Sequence, residues 1–255
     1  MGFNCVARMI ELSQTVLKSS YWDDQLQALC FTWGEIKVSM YKFMCIVPDY
    51  ESFELCGFIS FILYLSYRDN CNDDTPKLRM FPHMKPTEAA KSISKTLANV
   101  STLVPSLTGV TSKGLRYAAC GMMYLNSDPK TCASRSGHSY HDDGETRSML
   151  EYILVLSILC LRGGYILSKY PVANKEKVWI APTLPVDLCD EENRKLHLLI
   201  SSFLWLDFRD EFFRSALFYP FVTRAFACFL MRLTEIENAL GVNFGPLQKL
   251  KELCE

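Results

Sequence analysis

The sequence predicts a mainly α fold with a small antiparallel β-sheet, an α+β chain. Two observations carry this. Apolar residues recur at helical spacing over most of the length, and residues 26–48 alone mix β-branched and aromatic residues densely around a glycine, Gly34. A third sets the scale: 255 residues, 49% hydrophobic and 13% aromatic, suffice to bury a core in one large domain or two small ones.

Residues 4–18 form the first expected helix, with Val6, Ile10, Leu12, Val16 and Leu17 toward one face. Residues 26–48 are expected as a short hairpin closed near Pro48, and residues 52–67 as a buried helix. The stretch 68–86, with Asn70, Asn72, Asp73, Asp74 and three prolines, is expected as a loop. Thr87 is expected to cap a helix running to about Val100. After a loop through Pro105 and Gly109, Thr111 or Ser112 caps the next helix, roughly 113–125. Asn126-Ser127-Asp128-Pro129 predicts a turn, followed by a helix over 129–136 that breaks at Gly137. Another helix starts at Thr146, and beyond Gly163-Gly164 a proline-containing connector leads to about Asp190. Helices over 191–206, 209–240 and 244–254 follow, the middle one interrupted near Pro220.

Several function classes are excluded or disfavoured. The best candidate for a membrane span, the uncharged run Leu55 to Tyr67, is too short for the ~20 residues of a spanning helix, so no membrane association is expected. The eleven cysteines are odd in number, include no Cys-x-x-Cys pair, and sit mostly in apolar runs. They are read as reduced thiols in the nucleus or cytoplasm, neither a disulfide frame nor a zinc site. Net charge is −1, but its distribution is uneven. Residues 77–135 carry 9 basic and 2 acidic side chains, whereas residues 1–76 carry 5 and 10. One central stretch therefore suits a phosphate-binding face.

That stretch holds the residues that carry chemistry. Thr111-Ser112-Lys113-Gly114-Leu115-Arg116 places Lys113 and Arg116 at a helix start, Ser136-Gly137-His138 follows 22 residues after Arg116, and Tyr152 comes 14 residues after His138. Upstream lie Arg8-Met9-Ile10-Glu11-Leu12 and Trp33-Gly34-Glu35-Ile36-Lys37. The order Arg, Lys, Lys-x-x-Arg, Gly-His, Tyr resembles the active site of the tyrosine recombinases, over about residues 5–155. Among them the Crypton-like and DIRS-like enzymes of eukaryotic mobile elements are nearest, because the hairpin region is expanded. The interval from His138 to Tyr152 is longer than is usual in the family, and the loop 139–145 accommodates the difference.

The resemblance implies a set of roles. Arg8 and Arg116 would hold the non-bridging oxygens of a scissile phosphate with always-charged, paired donors. His138 and Lys113 would add donors to the same phosphate as charge develops. Lys37 would protonate the departing 5′ oxygen. Tyr152 would attack phosphorus and carry the 3′-phosphoryl group, so that a second strand end can displace it. No metal and no small-molecule cofactor is needed. The implied partners are double-stranded DNA and, for strand exchange, further copies of the chain. The domains expected are a recombinase-like catalytic core over 1–160 and a helical C-terminal region over 161–255. Arg8 lies only seven residues beyond Met1, so the N-terminal DNA-clamping domain usual in the family is expected to be absent.

Two other readings stand beside this one. In His138-Ser139-Tyr140-His141-Asp142-Asp143, two histidines and two aspartates crowd six residues, so that His138, His141 and Asp142 suggest a metal-dependent hydrolase. Alternatively the chain is an inactive, domesticated or truncated recombinase that persists as a DNA-binding module.

Overall fold

The computed structural model describes residues 20–33, 42–49, 51–67, 87–129, 191–204 and 218–255, together with Thr15, Lys85, Thr131, Cys132, Leu167 and Leu184. Among them are three strands, seven α-helices and one 3₁₀ turn, a mostly helical α+β arrangement. The strands are β1 (Ser20–Asp23), β2 (Ala28–Trp33) and β3 (Lys42–Ile46). The helices are α1 (Gly57–Tyr67), α2 (Ala89–Ser101), α3 (Ser112–Asn126), α4 (Glu191–Leu204), α5 (Tyr219–Met231), α6 (Leu233–Leu240) and α7 (Gly245–Cys254).

The expected hairpin is the β2–β3 pair, but the sheet has a third strand, β1, in the order β1-β2-β3 and antiparallel throughout. Register sorts the side chains by face. Trp22, Leu29 and Ile46 align in one row and Phe31 and Met44 in another, all turned to the main core. On the opposite face Tyr21, Cys30 and Cys45 align, beside Ala28 and Val47. In β2 and β3 residues of both faces are buried, so these strands lack the alternation of a half-exposed sheet, whereas β1 alternates, Ser20 and Trp22 buried and Tyr21 and Asp23 half-buried. The β1–β2 turn is tied by Asp23, whose Oδ1 accepts from the backbone N–H of Gln25 and Leu26 at 3.0 and 2.9 Å. Gln27, at φ 48°, holds the left-handed position, and its side chain donates to Asp24 O at 2.7 Å.

The main core is made by α1 against α5. Helix α1 buries seven of its eleven residues, and α5 is apolar nearly all round, the pattern of a helix enclosed on every side. Phe221 meets Phe58 and Phe61 edge-on, with ring centroids 5.2 and 5.0 Å apart, and Trp22 extends the chain of rings to the sheet at 5.9 Å from Phe58. Phe203 of α4 packs on Phe226 and Phe229. The same cluster holds Leu29 and Phe61 at one end of the sequence and Phe229 and Leu247 at the other, so the C-terminal helices pack onto the sheet and α1. Arg224 makes the link explicit: its guanidinium lies 4.9 Å over the Trp22 ring and donates to Asp24 Oδ1 at 3.0 Å, an oxygen that also accepts from Trp22 Nε1.

Three boundaries differ from the sequence reading. Helix α1 starts at Gly57 because Asp49 first draws the chain into a turn, its Oδ1 accepting from the N–H of Glu51 and Ser52 at 2.9 and 2.7 Å. Thr87 is not a cap; it lies in the turn ahead of α2, whose cap position is Glu88, without a side-chain bond. Helix α5 begins near Pro220, as expected, with the proline in its first turn, where a missing N–H costs nothing; a further break, not expected, falls at Arg232 between α5 and α6. The expected helices over 4–18, 129–136 and from Thr146, and the loop 68–86, lie wholly or mostly outside the described residues. No helix among the described residues is long and apolar enough to cross a membrane.

Candidate nucleic-acid interface

Helices α2 and α3 form a hairpin through the 3₁₀ turn Pro105–Leu107. Gly109, at φ 80°, supplies the left-handed residue that reverses the chain ahead of α3. Thr111 then caps α3 as the sequence predicts, its hydroxyl accepting from Gly114 N–H at 3.3 Å. Ser112 is buried at the helix start and is bound to Ser94 of α2, with 3.2 Å between the hydroxyl oxygens and 3.2 Å from Ser112 N. This contact sets the cationic middle of α2 beside the first turn of α3.

Helix α2 buries only Ala89 and leans on the core through Ile93. Helix α3 buries Ala119 and Met123 against Leu167, with Cys120, Met122 and Cys132 around them. Much of the remainder of both helices is exposed. Neither contains an aspartate or glutamate, whereas they carry Lys91, Lys95, Lys113 and Arg116. In a chain with 28 acidic residues, two successive helices without an acid give this hairpin a net positive charge, Glu88 at the cap of α2 being the nearest carboxylate ahead of Lys91.

Of the six residues that the recombinase resemblance selects, Lys113 and Arg116 are within the described residues. Both stand at the start of α3, one helical turn and roughly 60° of helix circumference apart. Lys113 is exposed; its ammonium lies 5.2 Å from the centroid of the Tyr117 ring, and hydrogen bonding to the Tyr117 hydroxyl pushes its pKa up. Arg116 is half-buried on the flank of the helix. Arg8, Lys37, His138 and Tyr152 lie outside the described residues, as do His141 and Asp142 of the metal reading. Among the described residues no three histidine, cysteine or carboxylate side chains gather as a metal site. His197, which carries no ligand motif, is buried in α4 with Nε2 2.8 Å from the Tyr219 hydroxyl, a core pairing.

Sequence reasoning passed over Tyr117 and Tyr124. Both stand well out from α3, at 60% and 64% exposure, on the side of Lys113. The signal was present as a spacing: positions 113, 117 and 124 are four and seven residues apart, which returns each side chain to one face of a helix.

Cys30, Cys45, Cys56, Cys120, Cys132, Cys228 and Cys254 are all unbridged, and four of the seven are buried. Burial pushes the Cys56 and Cys228 thiols well up, which keeps them protonated and inert.

Compared with family models, with curated proteins and with solved structures, the chain finds no match in any of the three.

Proposed function

We propose that this chain binds DNA through the α2–α3 hairpin and breaks and rejoins it through a 3′-phosphotyrosyl intermediate on Tyr152. The observation that carries the binding part is the exposed, acid-free surface of α2 and α3, with Lys91, Lys95 and Lys113 facing solvent. A phosphate backbone is the polyanion that such a surface fits, because each lysine that meets a phosphate releases condensed counterions. The chemical part rests on the sequence resemblance. Lys113 and Arg116 occupy the start of a capped helix, where backbone N–H groups and two cations favour an anionic group in the same place. Arg8, Lys37, His138 and Tyr152 complete the set by their order in the sequence.

The binding part is tested by the salt dependence of duplex affinity. If the three exposed lysines each meet a phosphate, log K falls against log salt with a slope of about −2.7, and each Lys→Ala change removes about 0.9 from it. A folded sample that binds no duplex at low salt, or whose slope is unmoved by Lys91→Ala, Lys95→Ala and Lys113→Ala together, would sink the binding part.

A further inference from the structure

The outward face of α3 differs from an ordinary basic helix. Around the helix, Lys113, Tyr117 and Tyr124 fall within roughly 40° of one another, and the two tyrosines are separated by about 10 Å of axial rise. Between them Gly121 leaves the surface bare: a Cβ built there meets nothing within 4 Å. The Lys113 ammonium covers one side of the Tyr117 ring, and more than half of each tyrosine remains open to solvent.

We propose that this strip receives unpaired bases, so that the substrate class is DNA with a single-stranded stretch. Two independent features of one helix point there. The lysines of α2 and α3, helices that contain no aspartate or glutamate within their bounds, supply positive charge that suits a phosphodiester chain. The tyrosines supply flat π-faces with hydroxyl tips, a surface on which any base stacks regardless of sequence. In a regular duplex the base faces are hidden within the stack and meet no such ring, so the tyrosines gain contact only where pairing is open. A base on the free side of Tyr117 brings its phosphate to Lys113, and the open surface at Gly121 leads on toward Tyr124. The inference rests on the DNA reading above and narrows its substrate.

The test measures affinities of the full chain for three labelled DNAs of one length: a thymine homopolymer strand, a blunt duplex, and a duplex with a central gap. Single-stranded and gapped DNA are expected to bind more tightly than the duplex at equal salt. Tyr117→Ala and Tyr124→Ala should each weaken single-strand binding about tenfold and leave duplex binding nearly unchanged. Tyr117→Phe and Tyr124→Phe, which keep the π-face, should retain the affinity, and circular dichroism checks that each variant is folded. Duplex bound as tightly as single strand, or alanine variants that bind single strand normally, overturns the inference and leaves the DNA reading standing. Phenylalanine variants as weak as the alanine ones also overturn it, since the hydroxyls rather than the rings would then make the contact. A change in oligomeric state in the alanine variants, without DNA, would reassign the strip to an interface between copies. Binding to none of the three DNAs would remove both readings together.

Discussion

Replacing Lys249 by methionine should unfasten two helix ends at once. Lys249 is carried by α7, and its half-buried ammonium donates to Phe203 O at 2.8 Å and to Ser66 O at 3.3 Å. Both carbonyls lie in the last described turn of their helices, α4 and α1. The short bond to a charged donor is worth about 1.5 kcal/mol net, and the longer one about half of that. Favourable charge at two negative helix ends acts through the same atoms and is not added again. Methionine retains the aliphatic stem that packs near the Phe203 ring, so little apolar burial is lost. The expected loss is therefore about 2 kcal/mol. In urea that lowers the unfolding midpoint by about 1 M with the slope unchanged, and the melting temperature falls by roughly 4–8 °C. A loss below about 0.5 kcal/mol, the range of an ordinary surface substitution, would refute the claim that Lys249 fastens α1 and α4.

Two further outcomes follow from the geometry. Thr111→Ala removes the side-chain N-cap of α3 and should cost about 1 kcal/mol in urea unfolding, while Thr111→Ser, which keeps the acceptor, should cost little; equal losses for both would deny the cap. Burial, and then the neighbouring Cys120 thiol, push the Cys132 pKa up to about 11, so the folded state holds a proton that the unfolded chain releases earlier. Stability from this thiol is complete below the ordinary cysteine range and is lost as pH rises toward and through about 11. Unfolding measured across that interval should fall less steeply in Cys132→Ser, and alkylation at pH 8 should reach exposed Cys254 well before Cys132; equal rates would contradict the burial argument.

Much of the helical architecture was legible because its signals are local. Thr111 reads as a cap from its type and place, and the limits of α7 follow from periodicity alone. Strand β1 was not legible: Ser20-Tyr21-Trp22-Asp23 is short, and its turn puts Gln27 rather than glycine or asparagine in the left-handed position. The boundary near Pro220 was legible because proline suits a first turn, whereas the break at Arg232 was not, since neither proline nor glycine marks it. At the candidate interface the charge of the hairpin and the placement of Lys113 and Arg116 could be read directly. Tyr117 and Tyr124 could not, because an aromatic residue on a helix reads as core until its exposure is known.

The account turns on whether Tyr152 forms a bond to DNA. The direct measurement incubates the full chain with labelled nicked duplexes, on which strand loss after cleavage traps a covalent intermediate, and resolves the products under denaturing conditions. The account predicts a labelled protein–DNA adduct that withstands denaturation, disappears in Tyr152→Phe, and falls sharply in Arg116→Ala as charge stabilisation at the phosphate is lost. An adduct that persists in Tyr152→Phe would place the nucleophile elsewhere, with Tyr140 the first residue to test. A folded chain that binds these duplexes and yields no adduct would contradict the strand-exchange claim and leave a DNA-binding module.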